Sequence, residues 1–341
     1  MCQHSPMKIL VIGGTQFIGR AIVELLVANG DEVTLFHRGR TNPDLFPSAE
    51  HLLGDRNVDL SALMSGEWDA TIDPSAYFPR QVHSLAEALG KRGGRYVHIS
   101  SVSAYATLTA PGANEDAALA QLEDPTTEVV TASTYGGLKA LCEVATNEEF
   151  GPGGRGWSGQ PASIVRPTYV AGPYDHTGRF TWWVQRAARG GRILAPGPRD
   201  NPFQSIDVRD VAQFVVSLAY GEAGGTFHVS GPVPPFTFED FLTTVVAEVG
   251  APDAELVWVD APRLNAADVA PGDLPLWEGL DEDRLVLSVD SSRAFGAGLT
   301  LRPLRETIRD VYEHEERTPT AIRQSVGLSP SRESQLLAEL A

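Results

Sequence analysis

Tyr135 and Lys139 are the residues in this chain whose types and spacing point most directly to chemistry. They stand at i and i+4 in Tyr-Gly-Gly-Leu-Lys, which puts both side chains on one face of a helix. A phenol with a pKa of about 10 is a poor base at neutral pH, but a neighbouring ammonium stabilises the phenolate and lowers that pKa. Lys139 is therefore expected to depress the pKa of Tyr135, which would give or take the proton of a hydroxyl group as hydride moves. Ser100 and Ser101 follow the run Arg-Tyr-Val-His-Ile at 95–99, at the edge of a sheet where ligands collect. Ser101 is chosen to hold the substrate oxygen. Taken singly, Tyr-x-x-x-Lys occurs on many surface helices and Ser-Ser can merely cap a turn; their order behind a glycine turn gives them joint meaning.

That turn is Gly13-Gly14-Thr15-Gln16-Phe17-Ile18-Gly19. It lies between a β-rich run at 8–12 and a helical apolar pattern from Phe17 to Val27, stopped by Asn29-Gly30. Unpaired backbone N–H groups and the helix dipole favour an anion at such a junction. Gly13, Thr15, Gln16, Phe17, Ile18 and Gly19 are therefore assigned to the pyrophosphate of a dinucleotide. Gln16 stands where the usual fingerprint has glycine, so its side chain must swing aside or donate to the phosphates itself.

A second strand, Val33 to Phe36, leads into His37-Arg38-Gly39-Arg40. NAD calls for an acid at this turn and NADP for a cation opposite the 2′-phosphate. Arg38 and Arg40 thus predict NADP, with NAD as second choice. Asp55, in Gly54-Asp55-Arg56 after a third strand, is placed to accept from the adenine amino group. Arg56, Pro74, Ser75 and Ser100 complete the expected cofactor set together with Tyr135 and Lys139.

The elements that must position these groups alternate. Strands are expected at 69–72, 95–100 and 162–166, with helices near 79–91 and 135–149, and the alternation persists to about residue 230. This predicts an α/β fold, a Rossmann doubly wound parallel sheet with a smaller C-terminal α/β substrate lobe. A cofactor domain at 7–170, a substrate lobe at 171–316 with 206–230 returning to the first domain, and a tail at 317–341 follow. The glycine-rich segment 151–159 reads as a surface connector, and the tail as a turn and a short surface helix.

A formal net charge of -17 over 341 residues argues against nucleic acid or anionic membrane as a partner, since such binding draws on clustered Lys and Arg. Cys2 and Cys142 make neither a disulfide framework nor a metal cluster, and no metal-ligand spacing is present. The start of the chain lacks the long apolar segment of a signal peptide, and no apolar run is long enough to span a bilayer. A cytoplasmic location is expected.

With these motifs in place, the chain resembles the extended short-chain dehydrogenases/reductases, of the NAD-dependent epimerase/dehydratase type, over about residues 7–315. The resemblance rests on residues 13–19, on His-Ile-Ser-Ser-Val-Ser-Ala-Tyr at 98–105, on 135–139, on Arg-Pro-Thr-Tyr-Val-Ala-Gly-Pro at 166–173 and on Ile-Asp-Val-Arg-Asp-Val-Ala at 206–212. It implies that Ser101, Tyr135 and Lys139 form a catalytic triad and that Pro167 passes near the nicotinamide. It also implies a C-terminal lobe over a substrate that is often a nucleotide sugar, and a homodimer. Phe36-His37-Arg38-Gly39 is similar to a subgroup containing bacterial reductase-like proteins and chloroplast proteins reported to bind RNA.

On the substrate side, Arg179 and Trp183 open a helix that continues through Arg186 and Arg189, offering aromatic stacking and cations for a diphosphate. Tyr105 and Gln204 are further substrate candidates. Glu115 or Asp116 could act as the extra acid of a dehydratase, whereas His98 and His228 are expected in the core. The expected function is an NADP-dependent oxidoreductase acting on a sugar-like or nucleotide-linked hydroxyl or carbonyl. Its alternatives are a nucleotide-sugar epimerase or dehydratase with bound NAD, and a non-enzymatic RNA-binding or NADP-sensing protein.

Overall fold

Covering both faces of a parallel sheet with helices requires strands that are apolar throughout, and the first run meets this condition, with Ile9, Leu10, Val11 and Ile12 all buried. The computed structural model describes residues 5–280, 282–318 and 326–340, without the side chains of 282 and 283. The N-terminal half contains β1 (Lys8–Ile12), α1 (Phe17–Asn29), β2 (Glu32–His37), β3 (Glu50–Leu53), β4 (Ala70–Asp73), α2 (Pro79–Leu89), β5 (Arg95–Ile99), α3 (Ala132–Phe150) and β6 (Ser163–Pro167). Next come β7 (Tyr169–Ala171), α4 (Arg179–Ala188), β8 (Arg192–Pro196), β9 (Pro202–Phe203), β10 (Ser205–Asp207), α5 (Val208–Tyr220), β11 (Gly225–Val229) and β12 (Phe236–Thr237). The chain continues through α6 (Phe238–Val249), β13 (Glu255–Val259), α7 (Ala261–Ala266), α8 (Ser292–Gly296), α9 (Leu304–Arg317) and α10 (Pro330–Leu340).

Seven strands form one parallel sheet in the order β11-β6-β5-β4-β1-β2-β3. The order reverses between β1 and β4, and there an open sheet leaves a crevice past the carboxyl ends of its strands. Side chains of α1 and α5 pack on one face of the sheet, and those of α2 and α3 on the other. The segment 206–230 supplies α5 and β11, which pairs with β6. The smaller lobe builds its own core from Phe180, Trp183, Phe203, Phe238, Phe241 and Trp277, beside the short pairs β8–β13 and β9–β12.

Two sequence expectations are corrected here. The helix expected to open at Tyr135 starts at Ala132, because Thr131 caps it: its Oγ1 accepts from Thr134 N at 3.2 Å while Thr134 Oγ1 accepts from Thr131 N at 2.9 Å. The tail is not a loose surface helix. Leu336 and Leu337 of α10 are buried in the lobe core, and Glu333 pairs with buried Arg186 at 2.7 Å and accepts from Leu194 N at 3.1 Å. No helix among the described residues is long and apolar enough to cross a membrane, and no cluster among them could hold a metal ion.

Candidate active site

Gly13 and Gly14 carry the chain from β1 to α1 with φ of +106° and +93°, a region that side-chain-bearing residues rarely enter. Gly13 N donates to Phe36 O at 2.8 Å, which pins the turn to β2. Gln16 occupies the N-cap without a side-chain hydrogen bond, and no acid stands in the first turn of α1, so its leading amides have no intrahelical or capping acceptor. Such an end attracts an anion. Gln16 is exposed, Thr15 is buried with its carbonyl accepting from Asn42 Nδ2 at 3.0 Å, and Phe17 meets the edge of His176 at 6.1 Å. Ile18 is partly buried against the sheet core.

At the next edge, β2 ends in His37, whose Nε2 lies 2.8 Å from His51 Nδ1. Arg38 and Arg40 beyond it are exposed and flank Asp55. The Asp55 carboxyl is held below its usual range by the Asn57 amides first, with Arg38 and Arg40 adding to the effect. Arg56 has a different place from the one expected. It is not turned toward a cofactor but forms a bidentate pair with Asp73 at 2.7 and 2.8 Å and donates to Ser75 Oγ at 2.8 Å. Burial pushes the Asp73 carboxyl up, but the guanidinium overrides it and holds the group well below the carboxylate range. Tyr96 adds a hydrogen bond to Asp73 at 2.8 Å. Ser75 Oγ in turn donates to Ile12 O at 3.0 Å, so the Arg56–Asp73 pair ties the Pro74-Ser75 loop to the end of β1.

Ser101 opens a short 3-10 turn and caps it, its Oγ accepting from Ser103 N at 3.1 Å. That turn packs against α3 at Gly136, where a Cβ would lie 2.1 Å from Ser103 O, while a Cβ on Gly137 would lie 2.5 Å from Leu122 of the following loop. Ser101 Oγ donates to Ser103 Oγ at 3.1 Å and lies near enough to the Tyr135 phenol to lower its pKa. Lys139, one turn on, is buried and donates to Ala76 O at 2.9 Å and Ile99 O at 2.7 Å. The expectation that Lys139 depresses the pKa of Tyr135 is corrected. Burial first, and then Tyr77, raise the phenol above its ordinary value of 10.0, while Ser101 and Arg179 pull it down. Burial also lowers the pKa of Lys139.

Tyr77 is a site residue that sequence reasoning missed. Its ring lies 6.3 Å from that of Tyr135 and 5.8 Å from Lys139 Nζ, and the residue is 44% exposed. Only its place two residues past Ser75 could have signalled it. Ser100 is buried at the carboxyl end of β5 with its Oγ unpartnered, and Pro167 is buried at the end of β6. In the ligand-free protein Tyr135 is expected to ionise above its ordinary value, and Arg179→Ala to move that titration higher still. NMR of ¹³Cζ-tyrosine, assigned with Tyr135→Phe, reads both; ionisation below the ordinary value would contradict this account.

Of the substrate candidates, only Arg179 is exposed beside Tyr135, its guanidinium stacked 4.8 Å from the Tyr169 ring. Trp183 is buried in the lobe, with Nε1 donating to Pro275 O at 2.5 Å, and cannot stack on a ligand. Arg186 is committed to Glu333, and Gln204 is buried between Pro232 O and Val289 O, 3.0 Å from each. Tyr105 is buried between Arg166 and His228, where burial pushes its pKa up to about 12. Arg166 is held by Glu143 at 2.9 Å. Glu115 is buried too, accepting from His228 N at 3.0 Å, and Asp116 lies 3.2 Å from Arg293, so neither stands as a spare acid. His98 and His228 are fully buried.

The sheet order and the glycine turn define the class, a Rossmann-fold protein of the NAD(P)-binding kind. The chain belongs to the NAD dependent epimerase/dehydratase family, whose model matches residues 9–230. It is 27% identical over 272 residues to the chloroplast stem-loop binding protein of 41 kDa b from Arabidopsis thaliana, covering 74% of this chain and 66% of that protein. Its fold is similar to that of UDP-N-acetylglucosamine 4-epimerase from Bacillus cereus, with a TM-score of 0.64, 17% identity, and coverage of 90% of this chain and 98% of that one. It is similar too to WbmG from Bordetella bronchiseptica in complex with NAD and UDP, with a TM-score of 0.66, 18% identity, and coverage of 94% and 98%.

Proposed function

We propose that this chain is an NADP-dependent oxidoreductase that transfers hydride and a proton at a sugar-like or nucleotide-linked hydroxyl or carbonyl. One observation carries the reading: Ser101 beside the Tyr135 phenol, which stands one helical turn from a buried Lys139, at the carboxyl edge of the sheet. The residues fit a dinucleotide. The uncapped start of α1 and the left-handed Gly13-Gly14 turn offer amides to a pyrophosphate, and the orphaned Ser100 Oγ lies farther along the same edge. A bound nicotinamide would supply or accept the hydride. Lys139 has an N–H beyond its two carbonyl bonds for a ribose hydroxyl, Ser101 orients the reacting oxygen, and Tyr135 moves the proton. At neutral pH the phenol is protonated, the form that can give a proton to a carbonyl oxygen. WbmG's bound NAD supports a dinucleotide here and keeps an NAD-retaining epimerase as the nearest alternative.

Arg38 and Arg40 support NADP over NAD. Arg38→Ala/Arg40→Ala is expected to weaken NADPH binding by about ten- to a hundred-fold, the worth of one charge-assisted contact, and to leave NADH nearly unchanged. Cofactor fluorescence measures both, and equal losses would remove the NADP preference. Incubation with NADP(H), NAD(H) and a panel of sugars and nucleotide sugars, followed by mass spectrometry, tests turnover. The name of the Arabidopsis relative favours a second reading, stem-loop binding. Tight, salt-sensitive gel shifts without cofactor uptake would put that reading first.

A further inference from the structure

Strand β2 ends in a chain of imidazoles whose proton positions the backbone dictates. In the parallel register Leu35 faces His51, so His37, two residues on, shares a sheet face with His51. Gly39 N, which can only donate, points to His37 Nδ1 at 3.1 Å. Nδ1 is therefore an acceptor, and the proton of His37 lies on Nε2, 2.8 Å from His51 Nδ1. His51 Nδ1 must accept in turn, which leaves its proton on Nε2, donating to Phe46 O at 3.1 Å. The three hydrogen bonds thus use two ring protons on two neutral rings, and a third proton would set donor against donor at one of the links.

The chain brackets the segment that carries Arg38 and Arg40. These flank Gly39, which holds a φ of +66° and would bring a Cβ within 3.3 Å of Leu53. Between the links at Gly39 and Phe46, Asn42 Nδ2 donates to Thr15 O at 3.0 Å, so the same segment is tied to the glycine turn after β1. His37 is buried, and burial first and His51 second hold its pKa below the ordinary 6.5. The other charges on the surrounding elements are engaged or turned to solvent. Glu50 of β3 accepts from Thr34 Oγ1 at 3.0 Å, and Arg56 pairs with Asp73. Arg38 and Arg40 are exposed near Asp55, and Asp44 is exposed as well.

We propose that the neutral His37–His51 pair positions the Arg38-Gly39-Arg40 turn on the 2′-phosphate of the cofactor, and that a third proton on the pair breaks this anchorage and weakens NADPH. This rests on the NADP reading and deepens it, adding two positioning residues that act through the backbone of the turn. The sign is definite: affinity is full while both rings are neutral and falls as pH drops below the ordinary imidazole value. An imidazolium acting by charge alone would do the opposite, drawing the phosphate in as pH falls.

The full chain without cofactor, labelled with ¹⁵N-histidine and assigned with His37→Asn and His51→Asn, reads the tautomers by long-range ¹H–¹⁵N NMR. Both rings are expected to carry their proton on Nε2 at about pH 8, with a third proton taken up below 6.5. Cofactor fluorescence then follows NADPH and NADH binding from about pH 8 to about pH 5. The 2′-phosphate titrates too, near pH 6, so the quantity read is the difference between wild type and His37→Asn. That substitution supplies an amide oxygen that can accept from Gly39 N and does not titrate. Wild type is expected to lose about ten-fold more NADPH affinity than His37→Asn over this range, the worth of one hydrogen bond, and NADH to show no such difference. The proposal is overturned by a proton on Nδ1 of either ring at about pH 8, by equal pH profiles, or by NADPH binding that tightens at low pH relative to the variant. Arg38→Ala/Arg40→Ala keeps the two readings apart: equal losses of NADPH and NADH would remove the NADP reading and the proposal with it, whereas equal pH profiles remove the proposal alone.

Discussion

Tyr135→Phe is expected to reduce turnover by about 10²–10⁴-fold, the usual worth of a positioned proton donor, while NADPH binds as before. Phenylalanine keeps the ring against Tyr77, 6.3 Å away, and removes only the hydroxyl beside Ser101. The loss should therefore appear in kcat rather than in cofactor affinity or folding. Single-turnover oxidation of NADPH separates these terms, because it follows chemistry without product release. Retention of turnover would remove Tyr135 as the donor and direct attention to Tyr77, the other phenol at the edge. A Tyr77→Phe/Tyr135→Phe double variant then decides between them, since loss only in the double variant means that either phenol can serve.

Asp73→Ala carries the largest expected cost in stability, roughly 3–5 kcal/mol, because it strands the buried Arg56 guanidinium without its counter-charge. Tyr96→Phe, which removes one hydrogen bond from the same carboxylate, should cost only about 1 kcal/mol. Urea unfolding of both variants measures the contrast. The pH dependence has a definite sign. The folded carboxyl titrates below the unfolded value of about 3.9, so its contribution is complete above that pH and is lost as pH falls toward the folded value. Asp73→Asn should remove this part of the acid sensitivity. Near-identical acid curves for wild type and Asp73→Asn would show that the pair is not a source of that sensitivity.

How much of this was legible follows from the range over which each residue is determined. The strands and helices of the N-terminal half obey local periodicity, and the expected segments differ from the observed ones mainly at their ends. The missed start of α3 was itself local, the reciprocal Thr131–Thr134 cap. Ser101, Tyr135 and Lys139 come together because the 3-10 turn meets Gly136, a contact that the two glycines between Tyr and Lys hint at but cannot specify. Arg56, Trp183, Gln204 and Tyr105 were misassigned for a common reason. Each has a partner distant in sequence, Asp73, Pro275, Val289 and His228 respectively, and no periodicity announces such pairs. An arginine written beside a cofactor turn looks the same in sequence whether it meets a phosphate or a buried carboxylate.

The order of synthesis gives α10 a further meaning. Glu333 neutralises Arg186 from 147 positions downstream, and Gly327 lies against the Trp182 ring, where even a Cβ would come within 2.3 Å. Until residues 327–337 emerge, the nascent lobe holds an unbalanced cation and an uncovered indole. The first six strands of the sheet can meanwhile assemble as the chain is made, N-terminal parts first. The half built on the parallel sheet can thus be ready early, whereas the smaller lobe waits on its last helix.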